Sequence, residues 1–168
     1  MSSALKYLTA LTLVLFLDFA IAQSPVPSAS LPTIFMIGEH ETQYLSLAKQ
    51  HPALFMSVYG NDIDRAFRGW SEMLMDIEDY AAELNFDIRG VKLWFNIYFN
   101  ADGSIRHFAF YPKPNSRNVP VEYLSAFFKN FVAHYRLPVD AEKPFHHSAS
   151  GAFPTHFRRD LQATVRKD

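Results

Sequence analysis

From Asn61 to Leu84 the residues Ile63, Phe67, Trp70, Leu74, Ile77, Ala81 and Leu84 recur at spacings of four and three without a break. That period matches the turn of an α-helix and not the two-residue pleat of a strand, so the segment predicts a helix with one buried face. Asn61 or Asp62 supplies a side-chain cap, and Asp62 and Asp64 put negative charge where the helix dipole favours it. The opposite face carries Glu72, Asp76, Glu78, Asp79 and Glu83 against Arg65 and Arg68. These carboxylates read as a solvated face rather than as acid–base pairs, because a catalytic carboxylate needs a cleft that shifts its pKa. A helix of this kind requires an apolar surface to lie on.

Residues 91–100 supply one. Val91, Leu93, Phe95, Ile97 and Phe99 alternate with Lys92, Trp94, Asn96, Tyr98 and Asn100, the period of a strand with one face in the core. Asn100-Ala101-Asp102-Gly103 reads as a turn, and the run from Ser104 to Tyr111 as the returning strand of a β-hairpin. The prolines of residues 111–118 cannot donate to a ladder and mark a loop. Beyond it Val121, Leu124, Phe128, Phe131 and Tyr135, widened by Phe127 and Val132, form the stripe of a second helix that Leu137-Pro138 ends. The apolar stretch Ala149 to Phe153 predicts a last strand. Upstream, Thr33 to Ile37 and Leu54 to Tyr59 read as short strands and Gly38 to Gln50 as a weak helix. The expected fold class is therefore α+β: a two-layer antiparallel β-sheet with two long amphipathic helices packed on one face.

Composition narrows the function classes. Half the chain is apolar (49%), which excludes bulk disorder, and a formal net charge of −1 removes the basic footprint of a nucleic-acid binder. Gly 6, none of them in a nucleotide-binding arrangement, and Cys 0 exclude phosphate loops, disulfides, thiol catalysis and cysteine zinc sites. No cofactor is implied.

The N-terminus carries an address. Lys6 is a positive n-region, Tyr7 to Leu17 is an apolar run too short to span a bilayer comfortably, and Ala20-Ile21-Ala22 places small residues before a cut between Ala22 and Gln23. Residues 1–22 read as a signal peptide, and the mature chain is expected to hold no transmembrane segment. Residues 23–32 (QSPVPSASLP) form a Pro/Ser linker, residues 33–157 a single domain and residues 158–168 a charged tail. An exported chain with neither cysteine nor an Asn-x-Ser/Thr site fits a bacterial envelope or secreted protein: periplasmic, outer-membrane associated or released.

The order helix, strand, Asp-Gly turn, strand, loop, helix, strand, with LWFNIYFNADGSIRHFAFYPKP across residues 93–114, resembles the C-terminal domain of the TonB family over Val91 to about Phe157. The resemblance implies a two-layer domain whose edge strand pairs with an extended segment of an outer-membrane partner. A cleavable signal and a ten-residue linker depart from the uncleaved anchor and long spacer of an energy transducer. A stand-alone binding module fits these departures better.

Trp94, Asn96 and Tyr98 share the hairpin's outer face, with His107 and Tyr111 as neighbours, and large amphipathic aromatics there suit a partner-binding surface. Either that face is open, or residues 33–50 cover it as core. Asn115, Ser116 and Arg117 add directional polar groups in the exit loop, so Trp94, Tyr98, Asn115, Ser116 and Arg117 are the candidate partner contacts. The partner expected is a protein or peptide of the cell envelope, joined by strand addition. His146 and His147, near Ser148, Ser150 and His156, are where the alternative, a small secreted hydrolase or metal-binding protein, would place its chemistry. Adjacent histidines of an extended chain point apart, and no carboxylate lies close in sequence to orient them. No catalytic residue or metal ligand is assigned.

Overall fold

A computed structural model of the chain describes residues 30–156. The expected signal segment with its Ala22–Gln23 junction, residues 23–29 of the expected linker, Phe157 and the expected tail lie outside them. The strands are β1 Ile34–Met36, β2 Ala53–Leu54, β3 Lys92–Phe99, β4 Ile105–Pro112 and β5 Phe145–Ala152. The helices are α1 Glu41–Gln50, α2 Phe55–Val58, α3 Ile63–Glu83 and α4 Val121–His134. The chain is a mixed α+β domain.

Helix α3 begins where its cap dictates. Asp62 Oδ1 accepts from the backbone N–H of Asp64 and of Arg65, each at 3.0 Å, which satisfies two of the donors left open at a helix start. Trp70, Met73, Leu74, Ile77 and Ala81 are buried along its stripe. The first two stripe residues are not: Ile63 is 72% exposed and Phe67 59%. On the acidic face Glu78 binds the Thr155 N–H at 2.8 Å and its hydroxyl at 3.0 Å, tying the end of the domain to the helix.

The strand order is β1-β4-β3-β5-β2. The central trio is antiparallel, with β3 between β4 and β5. The sheet as a whole is mixed, because β1 runs parallel to β4 and β2 parallel to β5. This corrects the all-antiparallel expectation. Strands of three and two residues are too short for an alternation that would reveal their partners. A second correction concerns residues 54–59, where the strand ends at Leu54 and the chain turns into the single helical turn α2. The Ser57 hydroxyl donates to the Leu54 carbonyl at 2.6 Å there, the Tyr59 N–H bonds back to Met56, and Phe55 is buried. Strand β5 starts at Phe145, four residues before the stretch expected, and so takes His146 and His147 into the sheet.

The β3–β4 turn needs its glycine. Gly103 lies at φ 80°, its N–H bonds the Asn100 carbonyl at 3.1 Å, and its own carbonyl accepts from Leu137 N–H at 3.0 Å. A Cβ at this position would run into the Leu137 carbonyl oxygen, which is backbone and cannot swing away. Gly103→Ala is therefore expected to cost at least about 2 kcal/mol, combining left-handed strain with a backbone clash. A thermal melt reads this as a lower transition temperature; an unchanged melt would mean that the turn relaxes.

The main core gathers stripe residues of α3 and α4 with Leu93, Phe95, Ile97, Phe99, Phe108 and Phe110 of the hairpin. A smaller cluster holds Phe35, Leu47, Tyr98 and Ala109. Leu47 is in α1, so α1 and β1 cover part of the hairpin's other face.

Candidate functional site

The hairpin's outer face divides. Tyr98 is 5% exposed, packed edge-on against Tyr44 and His51 and stacked on His146, so α1 closes over it. Its expected role beside Trp94 on an open surface is corrected, because residues 33–50 cover that end of the face. Asn96 is half-buried, its amide donating to the Tyr44 hydroxyl. Trp94, four residues before Tyr98, is 43% exposed. Its ring lies near that of Tyr111 at 6.3 Å, with the Lys113 ammonium 5.5 Å from the ring centroid.

Two of the loop residues do structural work. The Ser116 hydroxyl accepts the Lys92 N–H at 2.9 Å, and Arg117 bonds both the carboxylate and the carbonyl of Asp87. Arg89 and Arg117 together hold the Asp87 carboxyl well below its ordinary range. These bonds anchor the loop to the start of β3 and engage the donors expected to face a partner. Asn115 is exposed.

His146 and His147 lie on opposite faces of β5. The His146 Nδ1–H donates to the His51 carbonyl at 2.7 Å on the outer side. His147 is stacked on Phe55 with ring centroids 4.3 Å apart and meets Trp70 edge-on at 4.8 Å. Burial lowers the His147 pKa to about 4, and it lowers His51 and His107 in the same direction. Among the described residues no group of three or more His, Asp or Glu is placed to hold a metal ion.

The feature that sequence reasoning did not localise is the outer edge of β5. Phe153 N–H donates to Val91 and Gly90 N–H to the Phe153 carbonyl, so odd-numbered residues of this stretch turn their backbone groups toward β3. Ala53 N–H donates to the Pro144 carbonyl, so the even-numbered ones face β2. β2 pairs only with Phe145 and His146. Ser148, Ser150 and Ala152 therefore direct N–H and C=O groups into a lane that no strand occupies among the described residues.

Clefts border that lane on both faces of the sheet. One of about 660 Å³ is lined by Trp94, Asn96, Tyr111, Ser148 and Ser150. Another, about 410 Å³, is lined by Met56, Ile63, Phe67, His146, His147 and Ser148, and a smaller one of about 230 Å³ beside Ser150 and Ala152 is lined by Phe67, Lys92 and Lys113. The one signal for this edge in the sequence is the run HHSASGA, which lacks both charge and proline.

No protein-family model, no curated protein and no solved structure matches the chain. Among the described residues no helix is long and apolar enough to cross a membrane.

Because Trp94 is held by one neighbouring ring and one ammonium, Trp94→Ala is expected to lower the unfolding free energy by no more than about 1 kcal/mol, against the roughly 3–5 kcal/mol of a buried aromatic. Urea denaturation separates the two values. A loss in the upper range would mean that the indole is core.

Proposed function

We propose that the chain is an exported, non-catalytic binding module of the bacterial envelope, similar in fold to the C-terminal domain of the TonB family, that takes an extended segment of a protein partner as an added strand along β5. The observation that carries this reading is the lane beside Ser148, Ser150 and Ala152, which no strand occupies among the described residues. Sheet edges are ordinarily guarded by lysine, proline, a bulge or a covering element; β5 itself carries neither lysine nor proline, and Lys92 and Lys113 stand only at the cleft beside its Ser150–Ala152 end. An added strand would complete its hydrogen bonds, while the flanking clefts would read alternate side chains. On the same reading the domain is two-layered, with α3 and α4 the two long amphipathic helices over one face. The shared cluster of their stripes with the inward residues of β3 and β4 supports that arrangement.

The edge is tested by Ser150→Pro. It removes one outward N–H and no bond to β3, a position where a sheet tolerates proline. The variant is expected to keep its circular dichroism while losing an envelope protein that the parent chain retains and that mass spectrometry identifies. Retention of that protein by a folded Ser150→Pro chain would refute strand addition. Export is tested by N-terminal mass analysis of protein recovered from the envelope. A start at Gln23 is expected, and intact Met1 in the cytoplasm would overturn it.

A further inference from the structure

The Ala152 end of the lane differs from the rest of it in charge. Ala152 pairs with Lys92 on β3, and the Lys113 N–H donates to the Lys92 carbonyl at 2.9 Å, so the two lysines stand side by side in one row that ends at the lane. Both line the cleft of about 230 Å³ beside Ser150 and Ala152, together with Ser71, Thr155 and His156. No carboxylate lines it among the described residues. Glu78 reaches Thr155 there, and its two oxygens accept the N–H and the hydroxyl of that residue. Among the described residues neither lysine takes part in an ion pair.

Like charges on neighbouring strands repel, and no carboxylate of the cleft offsets this pair. The Lys113 ammonium lies 5.5 Å from the centroid of the Trp94 ring, a contact that positions it without cancelling its charge. Farther along the lane Ser148 and Ser150 offer hydroxyls and no charge. A strand laid beside Ser148, Ser150 and Ala152 therefore meets an uncharged edge for most of its length and two cations at one end. A lysine or arginine of that strand would add to the repulsion there, and an apolar side chain would strip water from the ammonium groups without replacing it. A carboxylate relieves the repulsion and replaces the water with charge-assisted hydrogen bonds.

Resting on the strand-addition reading, we infer that the partner segment is acidic: an extended stretch whose aspartate, glutamate or terminal carboxylate lies at the Ala152 end of the lane, against Lys92 and Lys113. Backbone bonds to Ser148 and Ser150 hold any extended chain, and the two lysines select among them by charge.

The experiment pans a displayed random decapeptide library on the full chain and measures the selected peptides by fluorescence anisotropy. The variants are Ser150→Pro, a neutral one with Lys92→Gln and Lys113→Gln, and a reversed one with Lys92→Glu and Lys113→Glu, each checked by circular dichroism. Selected peptides are expected to carry Asp or Glu and to bind the neutral variant about tenfold more weakly or worse. Replacing that acidic residue by its amide should cost a similar factor against the parent chain and little against the neutral variant. Panning on the reversed variant should select Lys or Arg in its place. Ser150→Pro should abolish binding. Peptides lost with Ser150→Pro that carry no acidic residue, or that bind the neutral variant unchanged, would overturn this inference and leave strand addition standing. Peptides indifferent to Ser150→Pro, or none selected, would overturn both. A concentration-dependent dimer abolished by Ser150→Pro would overturn it too, by making a second copy the occupant.

Discussion

Phe128→Ala is expected to cost about 3–5 kcal/mol, the largest loss from any single truncation considered, because this ring connects α4 to both strands of the hairpin. Its centroid lies 4.6 Å from Phe108, 5.2 Å from Phe110 and 6.1 Å from Phe95, and a further 5.2 Å contact joins it to Phe127. The side chain is 1% exposed, and the rings around it are too large and too fixed to collapse into the space that alanine would leave. Measured as a thermal melt, the loss corresponds to a fall on the order of 10–20 °C for a domain of this size. Trp94→Ala, with a side chain of greater volume, is expected to do far less. A Phe128→Ala chain that melted like its parent would mean that α4 is not a principal support of the hairpin.

The contrast between Phe128 and Trp94 also marks where sequence pattern carries structural information. Phe128 belongs to a stripe of period 3.6 and Phe95 to one of period two, and both periods persist long enough to fix which face is buried. The α3 stripe was legible in the same way, but its period holds equally for residues that have a sheet beneath them and residues that do not. Ile63 reads as core for that reason, yet it is exposed. Whether the sheet extends under a helix depends on pairings between residues far apart in the chain, such as Ala53 with Phe145. Tyr98 illustrates the converse. Its place in the alternation put it correctly opposite Phe95 and Phe99 in facing, but its burial comes from Tyr44 and His51, on a helix and at a helix end with little periodicity. The β5 edge was hidden twice over, since serines and glycine carry no alternation, and an edge is defined by what does not pair with it.

Acid should unfold this domain through His147 before its surface carboxylates matter. Buried against Phe55 and Trp70, the imidazole is neutral in the folded chain down to about pH 4, whereas an unfolded chain protonates it near 6.5. Between those values the unfolded state binds the extra proton, so stability is complete above about pH 6.5 and declines as pH falls toward 4. A separation of that size amounts to about 3 kcal/mol once the pH is below both values. His51 and His107, also lowered by burial, act in the same direction below 6.5. Asp62, Asp87 and Asp102 are lowered from 3.8 by hydrogen bonds, so their contribution is present above 3.8 and is lost only in more acid solution. The two windows therefore separate. Urea midpoints taken from pH 7.5 to 4.5 should fall steadily for the parent chain and clearly less for His147→Phe, which keeps an aromatic ring on Phe55 without a site for the proton. Equal slopes in the two chains would assign the acid sensitivity to His51, at the end of α1, and His107, beside Phe35.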